Sequence, residues 1–319
     1  EFLLNKNYSV IGTSRKINDK KKWRLKKLNI HKKIIIKKLD ICKIEEIKKI
    51  LKRYKINEIY NLAAQSYVSK SFYTPLQTAN ANALGVIKIL ECIRIQNPKI
   101  KFYQASSSEI FGNTENKKKD ESANFNPQSP YAISKLFAHN ITNSYRNYYN
   151  LFAVSGILFN HDSPLRSSDF VTKKIIVGLI KIMKKKKKTI ELGNINAKRD
   201  WGYAKEFIPK IWKMMQRKKP SDFVIATGKT HSIRDFINIA TSILKISTKW
   251  VGTGVNEKLI NKKNQEVIIR INKNLFRPVE IIYSKGSINK SSKYIRWQAK
   301  TMLKKLVKIM IEDELKNYN

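Results

Sequence analysis

The stretch IKFYQASSSE at residues 100–109, with SPYAISK following at residues 129–135, decides the fold. Its apolar first half predicts a strand over 100–105 that ends in serines and a glutamate, and the apolar spacing after it predicts a helix over 131–148. A strand, a polar turn at its carboxyl end and a helix form the repeating unit of a doubly wound parallel sheet. Ligands of such sheets bind at the carboxyl ends of the strands, where Ser107 and Glu109 are expected to lie.

The same alternation extends in both directions along the chain. Further strands are predicted at residues 8–13, 34–39, 58–64, 151–159 and 223–227, and further helices at 44–54, 76–95, 170–184, 233–244 and 302–315. The nearly all-apolar run at 151–159 is typical of a parallel sheet covered on both faces. We therefore predict an α/β protein with a Rossmann-type doubly wound parallel sheet and a smaller C-terminal α/β domain. Residues 1–159 are assigned to the first domain, with 220–245 returning to it, and residues 160–319 mainly to the second.

One expected element does not occur in the sequence. A dinucleotide-binding sheet begins with a strand and a glycine-rich turn, whose amides bind the pyrophosphate at a helix N-terminus. No G-x-G-x-x-G or G-x-x-G-x-x-G occurs here, and residues 1–5 are interpreted as the end of the helix that follows such a turn. The first strand and the glycine-rich loop are thus expected to lie outside this sequence, and the chain as given is expected to bind a dinucleotide poorly.

The composition points to a basic protein without membrane segments. The net charge of +41 is nearly all Lys, spread over every segment together with abundant Ile, Asn and Tyr, residues that share A/T-rich codons. We interpret it as a solvated basic surface that attracts phosphorylated ligands. Nucleic-acid binding would predict aromatic side chains interleaved with a basic stripe, a pattern that is not found. No signal peptide is predicted, and no apolar run reaches the roughly 20 residues that cross a bilayer. Cys42 and Cys92 are interpreted as buried thiols in a reducing cytoplasm, and no metal site is predicted.

Tyr131 and Lys135 form a candidate catalytic pair. They are four residues apart and share one helix face, and Tyr131 is the only one of 14 tyrosines with a Lys at that spacing. A phenol has a pKa near 10, and a neighbouring ammonium and a cationic nicotinamide ring would both stabilise the phenolate. Lowering the pKa of the phenol by about three units takes about 4 kcal/mol. The alternative is a Tyr packed on its own helix beside a solvated Lys; the position of Ser107 at the preceding strand end favours the catalytic interpretation.

This arrangement resembles the extended short-chain dehydrogenase/reductase superfamily. The stretch NLAAQS at 61–66 is similar to the segment that contacts the cofactor in its sugar-nucleotide enzymes. Other stretches resemble the GDP-mannose 4,6-dehydratase family in particular: GILFNHDSP at 156–164, FVTKKI at 170–175, LGN at 192–194, KRDWG at 198–202, FVIATG at 223–228 with His231-Ser232, and Arg277-Pro278 with Glu280. The resemblance covers nearly the whole chain. It departs from the family at Leu165 and Ser167-Ser168, which replace an Arg-rich loop, and at Gln77, which replaces a Tyr near the cofactor.

The resemblance implies conversion of GDP-mannose to GDP-4-keto-6-deoxymannose with NADP. Tyr131 would take the proton of the sugar 4-hydroxyl, Lys135 would lower the pKa of Tyr131 and hold the nicotinamide ribose, and Ser107 would hydrogen-bond the 4-oxygen, where the family usually has Thr. Glu109 would remove the C5 proton and help to expel the 6-hydroxyl as water. The hydride taken from C4 would return to C6, so NADP would not be consumed.

The resemblance also implies the binding residues. Cofactor contacts are expected at Arg15, Lys16, Asp40, Ile41, Leu62, Ala63, Ala64, Gln65, Ser66, Lys135, His161 and Arg166. A cation at Arg15, supported by Lys16, would favour the 2′-phosphate of NADP, whereas Asp40 could simply form a turn. The sugar nucleotide is expected to contact Asn160, Lys174, Arg199, Arg277 and Glu280. A homo-oligomer, dimer or tetramer, is expected.

Three alternatives remain open at this stage. The chain could be a dehydratase or epimerase that acts on another nucleotide sugar, a truncated non-catalytic relic of the family, or a nucleic-acid-binding protein suggested only by its charge. The segments at 160–164 and 198–202 argue against the first alternative. The joint presence of Ser107, Glu109, Tyr131 and Lys135 argues against the second.

Overall fold

The structure is a computed structural model that describes residues 1–18, 22–113 and 119–318. The chain divides into two compact units. Unit 1 consists of Glu1–Ile110, Ser129–Ile157 and Ile208–Phe223, and unit 2 of Phe111–Gln128, Leu158–Phe207 and Val224–Asn319. Residues 220–223 thus fall in unit 1 and residues 224–245 in unit 2.

Strands and helices alternate along the first part of the chain. The strands are β1 (Ile11–Ser14), β2 (Ile35–Lys38), β3 (Glu58–Asn61), β4 (Lys101–Ser107) and β5 (Ala153–Leu158), and the helices are α1 (Trp23–Lys27), α2 (Ile44–Arg53), α3 (Val68–Tyr73), α4 (Pro75–Ala79), α5 (Gly85–Gln96) and α6 (Pro130–Tyr148). β1 pairs with β2 in parallel, and β3 pairs with β4 in parallel. A four-stranded sheet has the order β10-β5-β4-β3, where β10 is Phe223–Ile225. The predicted α/β class is confirmed.

The core of unit 1 forms because the apolar side chains recur at the predicted periods. Ile47 of α2 and Leu90 and Ile93 of α5 pack against Phe102 of β4 in one buried cluster. Every residue of β5 is buried, as predicted for a covered strand. β1 and β2, in contrast, contain no buried residue, because within the described residues they pair only with each other in a separate two-stranded sheet.

Several predicted elements of unit 1 differ in the structure. The helix predicted at 76–95 is divided into α4, a π-helical turn at Asn80–Leu84 and α5. The interpretation of residues 1–5 as a helix end agrees with the structure. The Asn5 N–H donates to the Glu1 carbonyl at 3.0 Å, a 3-10 turn follows at Leu4–Lys6, and Asn7 ends it in the left-handed conformation. Helices α1 and α3 were not predicted because each is only one to two turns long.

Unit 2 contains short strands and a mixed sheet. Its elements are β6 (Asn160–Asp162), α7 (Val171–Met183), β7 (Ile190–Leu192), β8 (Lys198–Arg199), β9 (Trp201–Tyr203), β11 (His231–Ser232), α9 (Ile233–Ile243), β12 (Thr248–Val251), β13 (Lys258–Asn261), β14 (Val267–Ile271), α10 (Asn289–Ile295) and α11 (Leu303–Leu315); α8 (Ala204–Met215) begins in this unit. β12, β13, β14 and β7 form a four-stranded sheet in that order. Helices α7, α9 and α11 pack with it in the buried core of the unit.

Two features of unit 2 were not predicted. Residues 160–169 were expected to form a loop, but residues 160–162 form β6, which pairs in parallel with β9. Helix α8 was not predicted, and it contains Pro209, a residue that usually breaks a helix interior.

Candidate active site

The carboxyl end of β4 holds two of the candidate catalytic residues. Ser107 is the last residue of the strand and is buried, and Glu109 lies in the 3-10 turn that follows at Ser108–Phe111 and is partly exposed. The Ser107 hydroxyl oxygen accepts a hydrogen bond of 3.2 Å from the Glu109 backbone N–H. The turn therefore keeps a hydroxyl and a carboxylate two residues apart at the strand end.

The first two turns of α6 hold the other two. The helix begins here because the Ser129 side chain accepts a hydrogen bond from the Ala132 N–H and Pro130 occupies the first helical position. Tyr131 and Lys135 are both buried, and the Lys135 Nζ lies 5.9 Å from the centre of the Tyr131 ring. The ammonium donates a hydrogen bond of 2.8 Å to the carbonyl of Ala105 on β4.

All four candidate catalytic residues therefore belong to unit 1, and α6 packs directly on β4. Burial lowers the pKa of Lys135 from 10.5 to about 8. At pH 7 the charged form still dominates by about ten to one, so the site holds a poorly solvated cation one helical turn from a phenol. Such a cation can stabilise a phenolate more strongly than one in water.

The candidate cofactor segment follows β3. Leu62, Ala63 and Ser66 are exposed, whereas Ala64 and Gln65 are partly buried. The Asn82 side chain holds the backbone of this segment in place. It accepts a hydrogen bond of 2.8 Å from the Gln65 N–H and donates one of 3.0 Å to the Gln65 carbonyl. An open loop with a fixed backbone is suitable for contacts with a ligand.

Asn82 also connects this segment to the catalytic helix. Its amide nitrogen lies 3.2 Å from the hydroxyl of Ser134, and that hydroxyl donates to the Tyr131 carbonyl. Asn82 lies in the π-helical turn, a feature that is frequent at functional sites. The sequence analysis missed Asn82 and Ser134; the only local signal was an Asn inside an otherwise apolar helix.

Arg15, Lys16, Asp40 and Ile41 follow the first two strands. Arg15 and Lys16 come directly after β1 and are exposed. The Asp40 carboxylate accepts a hydrogen bond from the Cys42 N–H at 3.0 Å, which is the turn geometry considered as the alternative for this residue. Burial raises the pKa of the Cys42 thiol, Asp40 raises it further, and Arg15 opposes the rise, so the charges of Asp40 and Arg15 act on the same turn. Ile41 is buried against Gly85 of α5.

Three of the candidate sugar-nucleotide residues lie together in unit 2. The Arg199 guanidinium is buried and donates to the Glu280 carboxylate at 2.6 Å and to the carbonyl of Ile281 at 2.6 Å. Arg277 approaches the same Glu280 oxygen at 3.7 Å. Two arginines beside one carboxylate are a group of charges that a diphosphate could also bind.

A buried aspartate supports this cluster and was not singled out from the sequence. Asp200, next to Arg199, is fully buried and accepts hydrogen bonds from the Thr227 N–H and hydroxyl and the Gly228 N–H, with a longer one of 3.4 Å from the Gly286 N–H. It thereby joins three backbone segments of unit 2. Gly286 has no room for a side chain, because a Cβ there would lie 2.2 Å from the Ala226 Cβ.

The remaining candidates of unit 2 have other neighbours. Asn160 pairs with Trp201 in the β6–β9 ladder. The pKa of Lys174 is lowered by burial and by Lys187, and raised by Glu191, so its electrostatic neighbours are not the Arg199–Glu280 pair.

His161 and Arg166, the two candidate cofactor residues of unit 2, contact other residues of the same unit. The His161 ring stacks on Phe207 at 5.1 Å, and its Nδ1 lies 2.8 Å from the Phe159 carbonyl. Arg166 pairs with Asp162 at 3.0 Å and stacks on Phe170.

Residues 1–18, 22–113 and 119–318 contain neither a metal-binding cluster nor a membrane-spanning helix. No group of three or more His, Cys, Asp or Glu side chains there is arranged to hold a metal ion. No helix within the same ranges has the length and apolar character to span a membrane.

Comparisons with known proteins agree with the geometry. The model of the family described as GDP-mannose 4,6 dehydratase matches residues 1–310. The chain is 38% identical over 323 residues to the GDP-mannose 4,6 dehydratase of Drosophila melanogaster, covering 99% of this chain and 82% of that protein. It is 37% identical over 332 residues to the Vibrio cholerae GDP-mannose 4,6-dehydratase, covering 99% and 89%.

Solved structures show the same fold at low identity. A UDP-glucose 4-epimerase from Thermotoga maritima superposes with a TM-score of 0.82 at 18% identity, covering 100% of this chain and 94% of that chain. A dTDP-glucose 4,6-dehydratase from Bacillus anthracis gives 0.80 at 17% identity, covering 99% and 91%. The Rossmann-type fold predicted from the sequence is thereby confirmed.

Proposed function

Because this chain belongs to the GDP-mannose 4,6-dehydratase family, we propose that it converts GDP-mannose to GDP-4-keto-6-deoxymannose with loss of water. The observation that carries the proposal is the family match over residues 1–310. That range contains all four candidate catalytic residues, Ser107, Glu109, Tyr131 and Lys135, within unit 1.

Tyr131 is proposed as the base of the first step. It accepts the proton of the sugar 4-hydroxyl while C4 becomes a ketone, and Ser107 hydrogen-bonds the 4-oxygen. Lys135 stabilises the phenolate, since its ammonium is buried one helical turn away. Low solvent exposure strengthens this attraction because little water screens the two charges.

Glu109 is proposed as the acid and base of the elimination. The C4 ketone acidifies the C5 proton, which Glu109 removes and delivers to the 6-hydroxyl as the C6–O bond breaks and water leaves. A nicotinamide cofactor held by Lys135 and the loop after β3 would supply the hydride transfer from C4 to C6, with no net change in its oxidation state. The proton lost from the 4-hydroxyl balances the one that C5 takes up, so the net change is loss of one water.

NADP, rather than NAD, is proposed as that cofactor. Two exposed cations, Arg15 and Lys16, follow β1, where a cation favours the 2′-phosphate. The exposed Leu62, Ala63 and Ser66 leave the loop after β3 open to the dinucleotide. Lys135 would hold the nicotinamide ribose.

The sugar nucleotide is proposed to bind unit 2 through Arg199, Arg277 and Glu280, with Asn160 and Lys174 as further contacts. The support is the buried Arg199, whose planar guanidinium can bind phosphate oxygens in a bidentate manner. Glu280 is within ion-pair distance of both arginines in this structure, and one carboxylate beside two guanidinium groups leaves a net positive charge. A diphosphate would neutralise that remaining charge.

The test is an isotope experiment on the protein expressed from its full gene. GDP-mannose deuterated at C4 is incubated with NADP, and the product is analysed by mass spectrometry and NMR. We expect deuterium at C6 and no net accumulation of NADPH. Parallel reactions with UDP-glucose and dTDP-glucose should give no product. Loss of the label to solvent, or turnover of either other nucleotide sugar in preference to GDP-mannose, would refute the proposal.

A homo-oligomer, a dimer or tetramer, is proposed as well. Its support is a set of large apolar side chains exposed on α3, α4 and α6 of unit 1: Tyr73, Leu76, Ile133 and Phe137. Exposed apolar surface of this kind is typical of protein interfaces. Light scattering after size-exclusion chromatography should give at least twice the monomer mass, and the double variant Leu76→Lys with Ile133→Lys should have a lower mass. A wild-type protein with the mass of a monomer would contradict the proposed homo-oligomer.

A cytoplasmic location is proposed on the basis of the thiols. Cys42 and Cys92 are both free in the structure, as expected in a reducing compartment. Fractionation of the source cells with a cytoplasmic marker enzyme tests this proposal.

A further inference from the structure

Two buried amide side chains lie behind the candidate catalytic lysine. Gln104 is on β4, is 1% exposed, and donates from its Nε2 to the Ala105 carbonyl at 3.1 Å. The same carbonyl accepts the hydrogen bond of the Lys135 ammonium at 2.8 Å. The amide and the ammonium therefore share one acceptor, and the position of the amide determines part of the electrostatic environment of the ammonium.

The second amide continues this chain to the candidate cofactor segment. Asn61, the last residue of β3, is 5% exposed and donates from its Nδ2 to the Gln104 Oε1 at 2.8 Å. The Asn61 Oδ1 accepts a hydrogen bond from the Ala63 N–H at 3.3 Å. Four contacts thus run from the loop after β3 to Lys135, all inside unit 1.

The direction of every hydrogen bond in this chain is determined by its two ends. The Ala105 carbonyl can only accept, so Gln104 must present its NH₂ group to it and its oxygen to Asn61. Asn61 must then present its NH₂ group to Gln104 and its oxygen to the Ala63 N–H, which can only donate. Rotation of either amide would place two oxygens or two NH₂ groups against each other in a site with little water, which costs free energy.

We propose that Asn61 and Gln104 form a relay of positioning residues that fixes the Lys135 ammonium through the Ala105 carbonyl and links it to the loop after β3. The proposal rests on the proposed function, since Lys135 is the catalytic group being positioned. It adds two residues that do not touch the reacting atoms. Because the positive end of the Gln104 amide points toward the shared acceptor, the relay also disfavours the charge on Lys135.

The other ionisable groups around α6 do not explain that charge balance. Burial is the cause of the lowered pKa of Lys135, and the Tyr131 ring on the same helix lies 5.9 Å from its ammonium. The ionisable residues on the elements that pack on α6 are Lys70 and Tyr73 of α3, Lys88, Glu91, Cys92 and Arg94 of α5, and Lys101 and Tyr103 of β4. Glu91 is already paired with Arg94 and accepts from Tyr145.

The decisive variant is Asn61→Asp, which keeps the shape and the acceptor for Ala63 but removes the donor. Gln104 is then expected to rotate and give its NH₂ group to the new carboxylate, so that its oxygen faces the Ala105 carbonyl and Lys135. The ammonium gains a second acceptor, and we expect its pKa to rise by about one unit. We expect kcat to fall about tenfold because the ammonium is displaced from its position, with KM for GDP-mannose changing less than about twofold.

A deletion variant and two controls complete the series. Gln104→Met removes the second amide at similar length, and it should also raise the pKa of Lys135, though by less. Asn97→Asp adds the same charge at an exposed turn of unit 1 where the side-chain oxygen accepts from the Lys99 N–H, and this acceptor is kept. Gln216→Met removes one hydrogen bond to Glu58. Neither control should alter the titration of Lys135.

The readout besides activity is the titration of Lys135 itself. Trace acetylation over a pH series, quantified by peptide mass spectrometry, gives the midpoint for this one lysine in the ligand-free protein. In the double variant Asn61→Asp with Gln104→Met, the midpoint and kcat should equal those of Gln104→Met alone, because without the amide the change at Asn61 is not transmitted. The relay is overturned if the two substitutions have multiplicative effects on kcat in the double variant. It is also overturned if the single variants titrate Lys135 with the wild-type midpoint.

The proposed function and the relay can fail separately. If wild-type protein does not convert GDP-mannose, the proposed function fails, while the acetylation midpoints still decide the relay. If Gln104→Met does not fold, as judged by circular dichroism, the nearly isosteric Asn61→Asp decides it alone. A normal midpoint in a folded Asn61→Asp protein overturns the proposal.

Discussion

Replacing the buried Lys135 by methionine should stabilise the folded protein and abolish its activity. Lys135 is 4% exposed, and burial lowers its pKa from 10.5 to about 8. The difference of about 2.5 units, at 1.36 kcal/mol per unit, means that holding the ammonium in this site costs about 3 kcal/mol at pH 7. Lys135→Met keeps the length of the side chain and removes the charge. The Ala105 carbonyl still accepts a hydrogen bond from Gln104, so losing the bond from Lys135 destabilises the variant by only about 1 kcal/mol.

The net expectation is that Lys135→Met raises the free energy of unfolding by about 2 kcal/mol at pH 7. Because the folded-state pKa lies below that of an unfolded lysine, the unfolded chain binds more protons between pH 8 and 10.5, and the stability of the wild type rises over that window. The advantage of the variant should therefore decline through the same window. Urea unfolding at pH 7, 8, 9 and 10 measures it, with the exposed Lys70→Met as the control that should show no such trend.

A variant that is less stable than wild type at pH 7 would refute this reasoning, as would a difference that does not depend on pH. Activity is measured on the same samples. Loss of the ammonium next to Tyr131 should lower kcat at least a hundredfold, because the phenolate loses its charged partner. Full activity in a stabilised variant would remove Lys135 from the proposed mechanism while leaving the cost of its burial intact.

Three further predictions follow from single contacts. Glu109→Gln should still exchange the C4 hydrogen with the cofactor but should lose dehydration at least a hundredfold, since the C5 proton has no acceptor; product formation near the wild-type rate would contradict its role. Arg15→Glu should weaken binding of NADP about tenfold in titration calorimetry and leave NAD nearly unchanged, and equal losses for both would argue against a 2′-phosphate contact. Gly156→Ala should destabilise the protein by about 2 kcal/mol, because the new Cβ would lie 2.4 Å from the Tyr103 hydroxyl. Tyr103→Phe removes a buried hydroxyl that has no hydrogen-bond partner among the described residues, and it should recover part of that loss in a double variant; simple additivity would refute the contact.

The fold was predictable where local signals and packing agree. The apolar spacing predicted a helix over 131–148, and the structure shows α6 there, with Ser129 as its side-chain cap and Pro130 at the first helical position. The all-apolar run before residue 159 predicted a covered strand, and β5 is fully buried. In these segments one choice of residues satisfies the local and the tertiary requirement at once.

Prediction failed where the tertiary contacts decide. The run at 76–95 has continuous helical spacing, and nothing local marks the π-helical turn that brings Asn82 to the Gln65 backbone, 17 residues away. The β6 strand is three residues long and exists because it pairs with β9, some 40 residues later. Helix α8 was not predicted either, and it forms although Pro209 lies inside it.

Within the candidate site, some residues could likewise be predicted from the sequence and others could not. The residues expected to touch ligand could be proposed from motif and spacing, because a reaction requires particular groups at strand ends and helix starts. The residues behind them could not, since Asn61 and Gln104 are 43 positions apart, and an amide in a strand carries no sign of its partner. Asp200 is similar: its four donors come from Thr227, Gly228 and Gly286.

This division has a physical cause that bears on function. A buried ammonium is unfavourable, so the fold keeps Lys135 in place with contacts that are themselves costly to leave unmade. The acceptor for Lys135 is a backbone carbonyl, which cannot be changed by substitution, whereas Gln104, which donates to the same carbonyl, can be substituted. A substitution at Asn61 or Gln104 is therefore the route by which the chain could change the reactivity of Tyr131 while every residue that touches the sugar stays the same.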